Sequence, residues 1–318
     1  MSGGPRAGVV EDCRVAPSMS VDDLVECYSR IHGFMAGHLA EAIEVLGSEL
    51  SGARLRVLTF TGNLVATGLR GILAQLIDSG LFNVIITTAG ALDHDIARHM
   101  GGEYLKGFFE ADDRELYERE IHRLGNVFIP FNSYGVLVER FVGRLVEDLG
   151  EGVYGVYEVL QRAGSLMKDD ISSIIGAARR GEAFMFVPGW ADGAFGTALY
   201  TESQRRGVRL IIDYFRDMEK LSELFFPQEG RAVALIVGGG ISKHHAIWWA
   251  QFRGGFDSVV YITTAVEYDG SLSGAHPREA VSWGKVKASG RRVVVYGDAT
   301  VILPILAAAL LGRTRYLS

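Results

Sequence analysis

Along this chain, short apolar runs give way to turns of small residues and then to stretches with helical spacing, and the unit recurs. Residues 55–60 read as a strand, 61–63 as a turn and 64–79 as a helix. The same order follows at 83–88, 89–91 and 92–100. Residues 183–187 form a further strand, followed by a DGAFG loop at 192–196 and a helix. Strand 231–237 passes through a triple-glycine turn at 238–240 into a helix over 242–252. Residues 258–264 are another apolar run, and strand 292–296 leads through 297–299 into a helix over 300–311. Such alternation predicts an α/β fold, a central and mainly parallel, Rossmann-like but nonstandard sheet with helices on both faces. Parallel neighbours need crossover connections, and those connections cover the sheet.

Two regions depart from the unit. Residues 1–17 are aperiodic and predict an irregular or mobile arm, with the arm bounded at 1–19 and a single domain over 20–318. Ser20, with Asp23 three residues on, resembles a helix N-cap, and Leu24, Tyr28, Ile31 and Met35 continue at helical spacing toward residue 50. Between 101 and 181, charged helical segments at 112–123, 136–149 and 151–166 predict a helical elaboration beside the sheet, with 126–130 the only strand-like piece.

Composition adds exclusions. At 318 residues, 48% hydrophobic and 22% charged, the chain is ordinary globular protein with ample core. A net charge of −6 argues against nucleic acid as the main partner. Cys13 and Cys27 make no disulfide framework or metal cluster, and free thiols in a reducing compartment are expected. The first fifteen residues hold no apolar signal region, and the apolar segment 301–311 is too short for a membrane span, so a soluble cytoplasmic protein is expected.

The densest candidate chemistry is EYDGSLSGAHPREAVSWGK at 267–285. Acids beside an indole suit a cationic amine, and a lysine in such a site can become a nucleophile. Elsewhere, turns at Gly62, Ala89, Gly239 and Ala299 lie where strands give way to helices. Backbone N–H groups there can cradle a pyrophosphate. No G-x-G-x-x-G or Walker A pattern is present, and plain tight turns explain these positions equally well. Asp192 and Asp298 follow strands and could accept ribose hydroxyls or cap helices. His244 lies on the first turn of a helix, whose positive end favours a neutral imidazole. Only one of His244 and His245 can face a cleft.

The string SGAHPREAVSWGK resembles the active-site segment of the deoxyhypusine synthases. The likeness continues through TGNL at 61–64, TTAG at 87–90, RLGN at 123–126, DGAFG, GGGISKHH at 238–245 and YGDA at 296–299, in the family's order and over about residues 20–310. The resemblance implies NAD-dependent transfer of the 4-aminobutyl group of spermidine to a lysine of the precursor of translation initiation factor five A. The fragment passes through an imine on an enzyme lysine, with diaminopropane released. By motif, Lys285 is that lysine and His244 the base, also placed against substrate. Glu279, Trp283, Gly270 and Ser271 would contact the polyamine. Asn63, Thr88, Ala89, Gly90, Asp192, Gly239, Thr264, Ala265, Asp269, Asp298 and Ala299 would hold NAD. Lys243 is assigned a solvated or phosphate-contacting role. A homotetramer with active sites between paired subunits is implied, with neither nucleic acid nor membrane as partner and no metal. Two alternatives stay open: transfer to a free amine, as in homospermidine synthases of this lineage, and an NAD-binding protein without transferase activity. Well-studied members carry Ser at Gly62, Glu at His94 and polyamine-gripping acids at Thr197 and Leu272. Either Asp93, Asp95 or Glu267 substitutes for the missing acids, or the preferred amine differs.

Overall fold

The structure is a computed structural model, and it describes residues 8–314. Its strands in chain order are β1 (Ala53–Thr59), β2 (Val84–Ile86), β3 (Leu105–Lys106), β4 (Ile121–Leu124), β5 (Val127–Pro130), β6 (Gly152–Tyr154), β7 (Phe184–Phe186), β8 (Leu210–Ile212), β9 (Arg231–Val237), β10 (Phe256–Thr263) and β11 (Val286–Tyr296). Six of them form one sheet in the order β11-β10-β9-β1-β2-β7, and every pairing in it is parallel. The chain builds outward from β1 through β2 to β7, then returns to the other side of β1 with β9, β10 and β11. This is the strand order of a doubly wound dinucleotide-binding sheet, with its switch point between β1 and β9.

Period-two alternation buries both faces. Leu58, Ile85, Leu235, Val237, Val260 and Val295 pack into one core, while Val57, Ile86, Ala234, Ile236, Val259 and Val294 pack into a second on the opposite side.

The helices depart from expectation at several points, each for a local reason. The capping box at Ser20 forms, with Asp23 N–H donating to Ser20 Oγ at 3.1 Å. The helix it starts ends at Ile31, and a second runs Met35–Glu49. The break falls at His32 and Phe34, both in the left-handed region at φ 50° and 51°, conformations no helix accommodates. The stretch 64–79 likewise divides into Gly62–Ala66 and Leu69–Asp78. The expected helix 112–123 stops at Glu118, and β4 and β5 form a hairpin about Gly125 and Asn126, with β3 on the outer side of β5. Residues 126–130 are therefore not the only strand in the elaboration. Gly125, at φ 61°, supplies the tight turn that the charge pattern concealed. β6 and β8 form a separate parallel pair.

Residues 8–19 contain no helix or strand, and residues 1–7 of the expected arm lie outside the described residues. Cys13 and Cys27 are joined in a disulfide, contrary to the expectation of free thiols. Glu11 N–H donates to Arg30 C=O at 3.1 Å, so the arm folds back along the helix Val21–Ile31 and brings the two sulfurs together. No described helix is long and apolar enough to cross a membrane.

Candidate active site

Because the six strands are parallel, their carboxyl ends share one edge, and the turns singled out in the sequence gather there. Asn63 follows β1, Thr88, Ala89 and Gly90 follow β2, Asp192 follows β7, Gly239 follows β9, Thr264, Ala265 and Asp269 follow β10, and Asp298 and Ala299 follow β11. The first two turns touch: Gly62 N–H donates to Thr88 Oγ1 at 3.1 Å, and a Cβ on Gly62 would lie 2.7 Å from the Gly90 carbonyl carbon. The triple-glycine turn packs as closely against the loop that follows β10. A Cβ on Gly239 would lie 2.2 Å from Ser273 Oγ, and that hydroxyl accepts from Gly240 N–H at 3.2 Å. Gly238 and Gly240 take φ 83° and 64°, which only glycine adopts freely.

The two ribose-binding candidates differ. Asp298 accepts from Thr300 N–H at 2.8 Å and caps the helix Ala299–Thr314. Asp192 is exposed, and its carboxylate makes no hydrogen bond or ion pair among the described residues. The capping role open to it is filled by Asp93 from the neighbouring helix, which accepts from Ala194 N–H at 3.0 Å and Phe195 N–H at 2.8 Å. Asn63 is exposed as well. Two free polar side chains, the helix N-termini at Ala89 and Gly240, and the glycine turns make a donor and acceptor set that fits a dinucleotide. Among the described residues no group of three or more His, Cys, Asp or Glu could hold a metal ion.

A cavity of 340 Å³ opens between the helices Gly240–Ala250 and Pro277–Ser282 on one face of β10. His244, Glu279, Trp283 and Lys285 line it together, with Lys243, Trp248, Tyr261, Leu272 and His276 among its other walls. Lys285 reaches it from an unexpected direction. Its C=O accepts from Phe256 N–H at 3.1 Å, at the amino end of β10, so its backbone is at the opposite edge from the cofactor candidates. Its ammonium lies 5.4 Å from the Trp283 ring centroid and 5.9 Å from that of Trp248. His244 stacks on Trp248 one helical turn along, at 6.0 Å. Burial, assisted by the charge of Lys285, holds the His244 imidazole below its ordinary pKa, so it is neutral at pH 7. His245 turns away to meet Trp249 edge-on.

Lys243 is not solvated. It is 1% exposed, its ammonium donates to Ala275 C=O at 2.7 Å and Ser273 C=O at 3.3 Å, and it sits 4.4 Å over the Tyr261 ring. Burial lowers its pKa to about 8, against an opposing pull from Glu279. It pins the 272–276 loop to the face of β10 and so shapes the cavity wall. Gly270 and Ser271 lie just outside the lining, and Thr197 lies on the helix Ala194–Arg206, away from it.

None of the proposed replacement acids lines the cavity. Asp93 is engaged as a cap. Asp95 is fully buried against Arg70 at 2.7 Å, Ser173 Oγ and the N–H groups of Ile174 and Ile175. Glu267 pairs with Arg278 at 2.6 Å. His94 is buried, bonded through Nδ1 to Tyr104 Oη at 2.7 Å, with its pKa lowered to about 4 mainly by burial. The sequence reading missed Trp248 and Tyr261. Trp248 was within reach of it, lying four residues after His244 on a helix already expected.

The chain matches the deoxyhypusine synthase family model over residues 23–310. It is 70% identical over 304 residues to a probable deoxyhypusine synthase of Aeropyrum pernix, covering 95% of this chain and 98% of the relative. It is 52% identical to one of Ignicoccus hospitalis, covering 96% of each. The fold is similar to that of an Entamoeba histolytica protein assigned as a deoxyhypusine synthase, at TM-score 0.63 and 19% identity, over 93% of this chain and 94% of that one. The chain belongs to the deoxyhypusine synthase family and is a transferase.

Proposed function

We propose that this protein transfers the 4-aminobutyl group of spermidine to one lysine of the precursor of translation initiation factor five A, the first step of hypusine formation. The observation that carries the reading is the meeting of Lys285, His244, Glu279 and Trp283 in one cavity beneath the dinucleotide-type edge. NAD, when bound, supplies a reversible hydride sink for the carbon beside the secondary amine of spermidine. In the chain, Asp192 and Asn63 have free polar groups for a ribose or amide, and the helix N-termini at Ala89 and Gly240 offer N–H donors to phosphate. Glu279 pairs with a substrate ammonium and Trp283 walls the amine. Lys285 Nζ attacks the oxidised carbon and carries the butylamine fragment as an imine while diaminopropane leaves. Neutral His244 accepts the proton that a nucleophilic amine must shed. The cellular setting that goes with this role is a cytoplasmic homotetramer with sites between paired subunits.

The test is incubation with NAD and spermidine, with and without the factor precursor, then borohydride trapping and mass analysis. The expected result is an aminobutyl mass on the peptide containing Lys285, none in Lys285→Ala, and transfer to the precursor when it is present. Label on another residue with Lys285→Ala still active overturns the assignment. Homospermidine formed in preference to modified precursor moves the acceptor to a free amine.

A further inference from the structure

The part of the cavity around Lys285 that this chain builds is short of carboxylates. Of its lining residues only Glu279 is acidic, whereas Lys243 and Lys285 both bring positive charge. Leu272, where an acid is expected of relatives, presents a side chain with no charge, and Asp93, Asp95 and Glu267 are engaged elsewhere. Yet the cavity already holds a primary ammonium. Lys285 Nζ stands within 6 Å of two indole centroids, Trp248 and Trp283, which is the range of a cation–π contact. Tyr261 borders the same space, and its hydroxyl, buried, has no hydrogen-bond partner among the described residues.

We propose that Trp248 is a specificity-determining residue. With Trp283 it forms an aromatic seat that binds a primary or secondary ammonium of a linear amine by its ring faces, in place of the carboxylate missing at Leu272. The inference rests on the proposed polyamine substrate but adds a second indole, Trp248, which the SWGK string does not contain. The ammonium of Lys285, 5.9 Å from one ring centroid and 5.4 Å from the other, lies at the outer limit of the cation–π range and leaves room at the ring faces for a substrate ammonium. Trp248 is 45% exposed, so replacing it leaves the core intact.

The experiment measures calorimetric binding of putrescine, spermidine and spermine, in the presence of NAD, to wild type, Trp248→Leu and Trp248→Phe, with NAD affinity and spermidine-dependent NADH formation measured alongside. Trp248→Leu should weaken spermidine binding roughly 2- to 30-fold, the span of one cation–π contact, and Trp248→Phe by clearly less. NAD affinity should not change. Equal binding by wild type and Trp248→Leu overturns the proposal, as does equal loss in the Leu and Phe variants, which would report bulk and not a ring face. The same comparison with putrescine or spermine supports the seat if wild type binds those and not spermidine, while sinking the spermidine reading above. Binding of no linear amine by wild type overturns the seat.

Discussion

Asp93 offers a sharp test of how the edge that carries the cofactor candidates is assembled. Its carboxylate is 1% exposed and accepts three hydrogen bonds, from Ala194 N–H, Phe195 N–H and Tyr134 Oη at 3.0 Å. A Cβ on Gly193 would lie 2.6 Å from Asp93 Oδ2, so the turn that carries Asp192 is pressed against this side chain. Burial raises the Asp93 pKa, and the two backbone donors only partly offset it, so the charge itself is expensive here. The two obvious substitutions should therefore separate. Asp93→Ala strands two helix N–H groups and a phenol in a buried site, at about 1–3 kcal/mol for each group left unpaired, so a loss of about 3–5 kcal/mol is expected after partial hydration. Asp93→Asn sheds the buried charge and keeps one acceptor oxygen, but its NH2 group faces a donor where the second carboxylate oxygen accepted, so a loss of about 1–2 kcal/mol, smaller than for Ala, is expected. Urea unfolding at pH 7 measures both. Equal costs for Ala and Asn would mean that charge, and not the acceptor geometry, holds the turn. A stable Asp93→Ala would mean that the 192–196 loop is held by other contacts.

Two further outcomes follow from packing and titration. Gly62→Ala places a Cβ 2.7 Å from the Gly90 carbonyl carbon and 2.9 Å from Ala91 N, backbone atoms that cannot swing aside, and should cost about 1–3 kcal/mol in urea unfolding; an unchanged midpoint would show that the two turns separate easily. His94 has a folded pKa of about 4 against 6.5 for an unperturbed histidine, so its contribution to stability is present above pH 6.5 and lost as pH falls toward 4. Relative to His94→Gln, wild type should lose about 2 kcal/mol between pH 7 and pH 5. The raised Asp217 pKa, about 6, has the opposite sign but cancels in that comparison, and a pH-independent difference between the two proteins refutes the reasoning.

The parallel sheet was legible because each of its strands contains an apolar stretch close before a turn of small residues, a signal carried by local sequence. What escaped was set by distant contacts or by single dihedral angles. The hairpin at Gly125 and Asn126 sits next to a charged segment whose spacing reads as helix through Arg123, and only the positive φ of Gly125 decides otherwise. The disulfide depends on an aperiodic arm turning back on the helix Val21–Ile31, a path with no pattern to announce it. Lys243 reads as a surface lysine from its neighbours in sequence, and its burial is fixed by carbonyls thirty residues away. The GGGISKHH and SWGK strings stand out in the sequence as candidates. That they meet across the face of β10 required the fold.

The helix Gly240–Ala250 joins the two halves of the proposed reaction. Its N-terminus lies at the edge where the cofactor candidates gather, while Lys285 has its backbone at the other end of β10. Lys243, His244, Ile247 and Trp248 form one stripe along it, facing the cavity. His244 and Trp248 are one turn apart, about 6 Å of rise. On the proposed reading, an amine lying along that stripe meets the base close to the cofactor edge and the aromatic seat one turn deeper, beside the lysine that receives the fragment. The two lysines are kept in different states by different partners. Lys243 is tethered to two backbone carbonyls and cannot leave its place without stranding a buried charge. Lys285 rests on ring faces, which hold a cation without the directional bonds of a carboxylate pair. An indole pair holds the amine by its ring faces and leaves its N–H groups without a fixed acceptor among the described residues, which, on the proposed reading, suits a lysine that must take up and pass on a fragment.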